Sequence, residues 1–164
     1  MSQTIIGIMG PGDQATAKDC ENAYELGKLI AQQGWILLTG GRKAGVMEAA
    51  LQGAKASQGL TVGVLPTADK QGMSEAVDIA IVTDLGNARN NINVLSSNLV
   101  VACGMGLGTA SEVALALKNG KQVILVTECE ATQAFFRHLS PQNVKLAANA
   151  PIAFSLIQEY LTGA

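Results

Sequence analysis

The chain has 164 residues, of which 48% are hydrophobic and only 15% charged, with a formal net charge of −2. That length supports one core-bearing domain, expected over 1–164, and the composition excludes a disordered polypeptide. The acidic balance and 4% aromatic content exclude a general nucleic-acid surface, which needs basic stripes and stacking rings.

In chain order, apolar runs of strand length alternate with segments of helical period. "TIIGIMG" opens the series and is followed by a helix predicted over about 15–33, with Ala23, Leu26, Leu29 and Ile30 at spacings of three and four. "WILLTGG", a helix over about 45–57, "LTVGVLP" and "VDIAIVT" come next. Between the last two, "PTADKQGMSEA" reads as a surface loop. A helix over about 88–97 leads into "NLVVACG", and a helix expected from near Thr109 leads to "KQVILVT". A helix over about 131–139, a short "NVKLAA" and a helix over about 151–161 complete the chain. Nearly continuous apolar strands between amphipathic helices predict an α/β fold. The expected architecture is Rossmann-like and doubly wound, a mainly parallel sheet of six or seven strands with helices on both faces.

No run approaches about 18 apolar residues and no basic leader precedes an apolar stretch, so no membrane partner is expected and the chain reads as cytoplasmic. The three cysteines share no metal-ligand spacing, and no metal site is expected. Cys20 and Cys103 read as small core residues. Low charge with high apolar content points to an apolar face covered by a second copy, a homo-oligomer.

In such a sheet, ligands sit beyond the carboxyl ends of the strands, where the strand order reverses. The first rim stretch, "GPGD", offers Gly10 and Gly12, with Asp13 equally able to face the rim or make a turn. The second, "GGRKAG", offers Gly40, Gly41 and Gly45 with Arg42 and Lys43, a forked donor and a point charge suited to phosphate. Next, "DLGNARNN" places Arg89 at a helix start, where a cation opposes the helix dipole and asks for an anion. Asn87, Asn90 and Asn91 add amides suited to a heterocycle edge.

"GMGLGTASE" then carries Gly104, Met105, Gly106, Leu107, Gly108 and Thr109 between a strand and a helix. Glycines let the backbone approach a ligand, and unpaired helix amides attract an anion, usually phosphate. The two glycine loops, expected on neighbouring strands, would share one phosphate pocket. Glu112 could be a general acid or base, an acceptor for sugar hydroxyls, or a helix residue favoured by the dipole. His138, at a helix end, reads as structural.

"GMGLGTASE" resembles the PGGxGTxxE motif of the LOG-like (lysine decarboxylase-like) Rossmann superfamily. The spacing from Arg89 and the loop "GG-x-x-x-GVM" are similar too, so the resemblance spans roughly residues 4–127. The enzymes of that superfamily are phosphoribohydrolases, nucleotide N-glycosidases that cleave nucleoside 5′-monophosphates. In that case the resemblance implies Arg89 and Glu112 as the catalytic pair. Gly104 stands here for the motif's proline and Met105 for its first glycine, a side chain where the enzymes keep bare backbone.

"NARNNINVLSSNLVVACGMGLGTASEVALALK" is similar to the molybdenum cofactor carrier proteins of the same fold. That resemblance implies a small phosphorylated ligand, the molybdenum cofactor (molybdopterin), and no catalytic residue. Glu112 would then orient the ligand, and the chain would form a dimer or tetramer with a molybdoenzyme as recipient.

Overall fold

The computed structural model describes residues 3–163, so the outermost positions of the expected 1–164 unit lie outside the described residues. The described residues form seven parallel strands in one sheet, ordered β4-β3-β2-β1-β5-β6-β7. The strands are β1 (Ile5–Met9), β2 (Ile36–Thr39), β3 (Thr61–Leu65), β4 (Ile79–Val82), β5 (Leu99–Cys103), β6 (Val123–Val126) and β7 (Val144–Leu146). Between them run α1 (Ala17–Gln32), α2 (Gly45–Ala56), α3 (Arg89–Ser96), α4 (Leu107–Lys118), α5 (Glu130–Leu139) and α6 (Ala150–Thr162), with a short 3-10 turn at Gly86–Ala88 before α3.

Central strands β3 and β5 are buried at every position, which explains why they read as unbroken apolar runs. Alternate residues feed two cores. Ile6, Ile8, Leu99, Val101 and Ile124 meet Leu26 and Ile30 of α1, Val46 and Leu51 of α2, and Ile157 of α6. Met9, Leu38, Val100, Ala102 and Leu125 meet Val94 of α3, Val113 and Ala116 of α4, and Phe136 of α5. Each Val, Leu, Ile, Met or Phe among them contributes about 1.5–3 kcal/mol on burial.

From β4 at one sheet edge, the chain passes through α3 to β5, on the far side of β1. Strand order therefore reverses between β1, paired with β2, and β5, paired with β1. The crevice expected to take a ligand opens there. The two glycine loops were expected on neighbouring strands, but β1 lies between β2 and β5. They face each other across the first rim stretch instead.

The link between β3 and β4 contains no helix and folds back onto the loop after β2. Arg42 bridges Met73, Lys43 N–H donates to Gly72 O at 2.9 Å, and Ser74 N–H to Gly41 O at 2.9 Å. This surface loop buttresses the backbone that carries Arg42.

Candidate functional site

A cleft of about 430 Å³ occupies the crevice between β1 and β5. Its walls come from four segments of the chain. The β1 loop supplies Gly10 and Gly12, the β2 loop Gly40 and Arg42, and the start of α3 Asn87, Arg89 and Asn90. The start of α4 supplies Gly106, Leu107, Gly108, Thr109 and Glu112. Asp13 lies on the rim with Pro11, Gln14 and Met47, three residues that sequence reasoning did not single out.

α4 begins at Leu107 rather than near Thr109, because Gly106, in an extended conformation, already accepts the Ala110 amide at 2.8 Å. Gly108 and Thr109 therefore lie inside the first turn, and Gly106 as N-cap offers no capping side chain. Among the described residues, the Leu107, Gly108 and Thr109 amides have no acceptor. Unspent amides at a helix start carry partial positive charge toward whatever occupies the cleft. Gly108 would find nothing within 4 Å of an added Cβ, and Gly106 only Pro11 and Thr109 at 3.6 Å or beyond. No packing demand explains these two glycines; a side chain at either would enter the cleft.

Arg89 is only 9% exposed. Its Nη1 donates weakly to Asn90 Oδ1 at 3.4 Å, and its buried Nε has no partner. Among the described residues no carboxylate lies within ion-pair distance of this guanidinium. Burial, opposed by the charge of Glu112 and reinforced by that of Arg42, pulls its pKa down. Gly40 lets the guanidinium pass, since a Cβ there would stand 3.0 Å from Nη1 and 2.8 Å from Met47 Sδ. A buried cation without a partner is costly, and an anionic ligand relieves that cost.

Glu112 is 7% exposed and takes a hydrogen bond from Asn93 Nδ2 at 2.9 Å. Burial pushes its carboxyl up to about 7, against the opposing effects of Asn93 and Arg89. Asn93 was not singled out from sequence, although it lies one helical turn after Arg89 on the same face of α3. Asn90 ties the two helices together, donating to Ser111 Oγ at 2.8 Å.

Six residues expected at the site do not line this cleft. Lys43 turns away to Glu75, at 3.1 Å. Gly41 and Gly45 answer backbone demands: a Cβ on Gly41 would meet Leu65 and Gly63, and one on Gly45 would strike Gly12 O. Asn91 is exposed on α3 beyond the cleft. Gly104, with φ of +74°, has the Asp19 carboxylate where a Cβ would stand, at 2.5 Å. Gly104 and Met105 line a second cavity, so the Met105 side chain does not fill the first cleft as its place in the motif implied. Cys103 is fully buried, and burial drives its thiol pKa upward, consistent with a core residue; Cys20 is half-buried. His138 is exposed and lies away from both cavities.

Among the described residues no helix is long and apolar enough to cross a membrane, and no cluster of metal-ligating side chains occurs.

Several known proteins are similar to this chain. The molybdenum cofactor binding protein of the phototrophic bacterium Rippkaea orientalis is 58% identical, with a TM-score of 0.97, over 98% of this chain and 99% of its own. The Moco carrier protein of Chlamydomonas reinhardtii is 49% identical, with a TM-score of 0.93, over 99% of this chain and 100% of its own. A cytokinin riboside 5′-monophosphate phosphoribohydrolase of Mycobacterium tuberculosis is 34% identical over 102 residues, 61% of this chain and 54% of that protein. Residues 3–153 match the SLOG cluster4 family, and with that match over most of its length the chain belongs to this family.

Proposed function

We propose that this protein binds and carries the molybdenum cofactor, holding its phosphoryl group in the cleft between β1 and β5. One observation carries the reading: a buried guanidinium without a carboxylate, beside three unspent amides at the start of α4. Both are donors and both are cationic in character, which fits a phosphoryl tail. Similarity to cofactor-binding and carrier proteins over nearly the whole chain supports the identity of the phosphorylated molecule.

In this reading Arg89 forks onto phosphoryl oxygens, the amides of 107–109 complete the cradle, and Arg42 closes the rim. Gly12, Gly106 and Gly108 keep the approach open. Glu112 orients a ligand hydroxyl or amine, and Asn87 and Asn90 offer amide contacts. When bound, the cofactor supplies the molybdenum chemistry; the chain's part is to hold and shield it. The protein acts in the cytoplasm as one ligand-binding unit, a homo-oligomer that hands its cargo to a molybdoenzyme.

Purified cofactor offered anaerobically should bind near one per chain, and absence of binding removes the carrier reading. A second reading, nucleoside 5′-monophosphate hydrolysis, is favoured by Glu112, whose carboxyl titrates near neutrality beside Arg89. Met105 does not obstruct it. Incubation with AMP should yield no free adenine; turnover that vanishes in Glu112→Gln would instead establish the hydrolase.

A further inference from the structure

The fold holds a second cavity of about 440 Å³ at the same sheet edge, between the start of α1 and the ends of β5 and β6. Asp19, Asn22, Met105, Val126, Thr132 and Ala148 are among its walls. It meets the first cleft at one peptide bond: Met105 lines the second cavity and Gly106 the first.

Asn22 is 7% exposed and gives its Oδ1 to the Ala150 amide at 3.1 Å. That bond orients the side chain, and Nδ2, among the described residues, has no acceptor although it belongs to a buried group on the cavity wall. Nδ2 is not among the unpartnered atoms shut away from solvent, so it stands as an oriented, accessible donor at the cavity wall. Three residues earlier, one turn along the same helix face, stands Asp19. Its Oδ2 accepts the Thr16 amide at 3.0 Å, and Oδ1 takes no hydrogen bond among the described residues. Carboxylate and amide thus stand side by side, an acceptor next to a donor, with Met105 and Val126 as apolar walls.

We propose that this second cavity is a subsite for a flat heterocycle of the 2-amino-4-oxopyrimidine type. Such a ring presents two adjacent N–H donors followed by a carbonyl acceptor. Asp19 receives the donors, Asn22 Nδ2 donates to the carbonyl, and Met105 lies against the ring, a favourable sulfur–aromatic contact. The inference rests on the carrier reading in one respect: the ring is taken as the other end of the ligand whose phosphoryl group sits across the Met105–Gly106 crest.

The test is a fluorescence titration of the whole chain with 6-hydroxymethylpterin, which lacks any phosphate. The wild-type chain should quench it saturably. Lumazine, which carries an oxo group in place of the 2-amino group, should bind roughly tenfold or more weakly, because the carboxylate then faces an acceptor. Asn22→Asp keeps an oxygen for the Ala150 amide and loses the donor; Ala148→Phe, at an exposed position, fills the cavity without touching the core. Each should lower pterin affinity roughly tenfold or more. Equal binding of pterin and lumazine, wild-type affinity in both variants, or no pterin binding at millimolar concentration would overturn the subsite. Intact cofactor separates the two claims: equal binding to wild type and both variants sinks the subsite alone, whereas no binding to wild type sinks the carrier reading.

Discussion

Glycines of the α1–α2 contact and glycines of the cleft look alike in sequence but differ in what surrounds them. Gly27 and Gly53 sit where the two helices cross, and a Cβ would strike Ala50 O in one case and Tyr24 O in the other. Backbone meets backbone there, and nothing flexible yields. Gly108 faces open space, and Gly106 only ordinary contact distance. The first pair is kept bare by packing; nothing packs against the second, which borders the cleft. Capping divides the same regions: Thr16 and Asp19 close the start of α1 with reciprocal bonds at 3.0 and 3.1 Å, whereas α4 starts without a capping side chain.

Breaking the packed side of this comparison gives the largest effect. Gly53→Ala should lower unfolding free energy by about 3 kcal/mol in urea titration while the folded fraction still binds ligand. Unchanged stability would mean that the helices can move apart. On the cleft side, Gly108→Val should reverse the pattern: cofactor affinity falls roughly 100-fold, about 2.7 kcal/mol, with stability altered by less than about 1 kcal/mol.

Glu112 sharpens the contrast through pH. With its carboxyl raised to about 7, the folded chain retains a proton that the unfolded chain releases nearer 4.5. Stability from this group is therefore lost as pH climbs from about 4.5 to 7. Glu112→Gln should match wild type at pH 5 and exceed it by about 2 kcal/mol at pH 8 in thermal unfolding. A constant difference across that range would contradict the burial argument. The smallest effect belongs to the cap remote from the cleft between β1 and β5: Thr16→Ala should cost about 1 kcal/mol of stability and leave affinity for inorganic phosphate unchanged.

These contrasts also mark what the sequence could disclose. Continuous runs such as Leu99–Cys103 state their burial on both faces directly, so sheet, helices and rim were legible. Arg89 was legible because a cation at a helix start calls for an anion. Lys43 was not, since its partner Glu75 lies 32 residues away on a loop whose return could not be read from composition. Gly104 and Gly108 belong to the same motif and carry the same local signal. Only the tertiary position of Asp19 reveals that one supports a turn while the other borders the cleft. The second cavity was not legible because Asp19 and Asn22 look, in sequence, like ordinary polar positions of an amphipathic helix.

If the buried, unpaired guanidinium of Arg89 is there to meet a phosphoryl group, removing it should weaken ligand binding without costing stability. Calorimetric titration of Arg89→Met with purified cofactor, on a chain shown to be folded, tests it most directly. An affinity loss of roughly 100-fold or more, about 2.7 kcal/mol, is expected in a variant whose ligand-free stability equals or exceeds wild type. Wild-type affinity in the folded variant would contradict it.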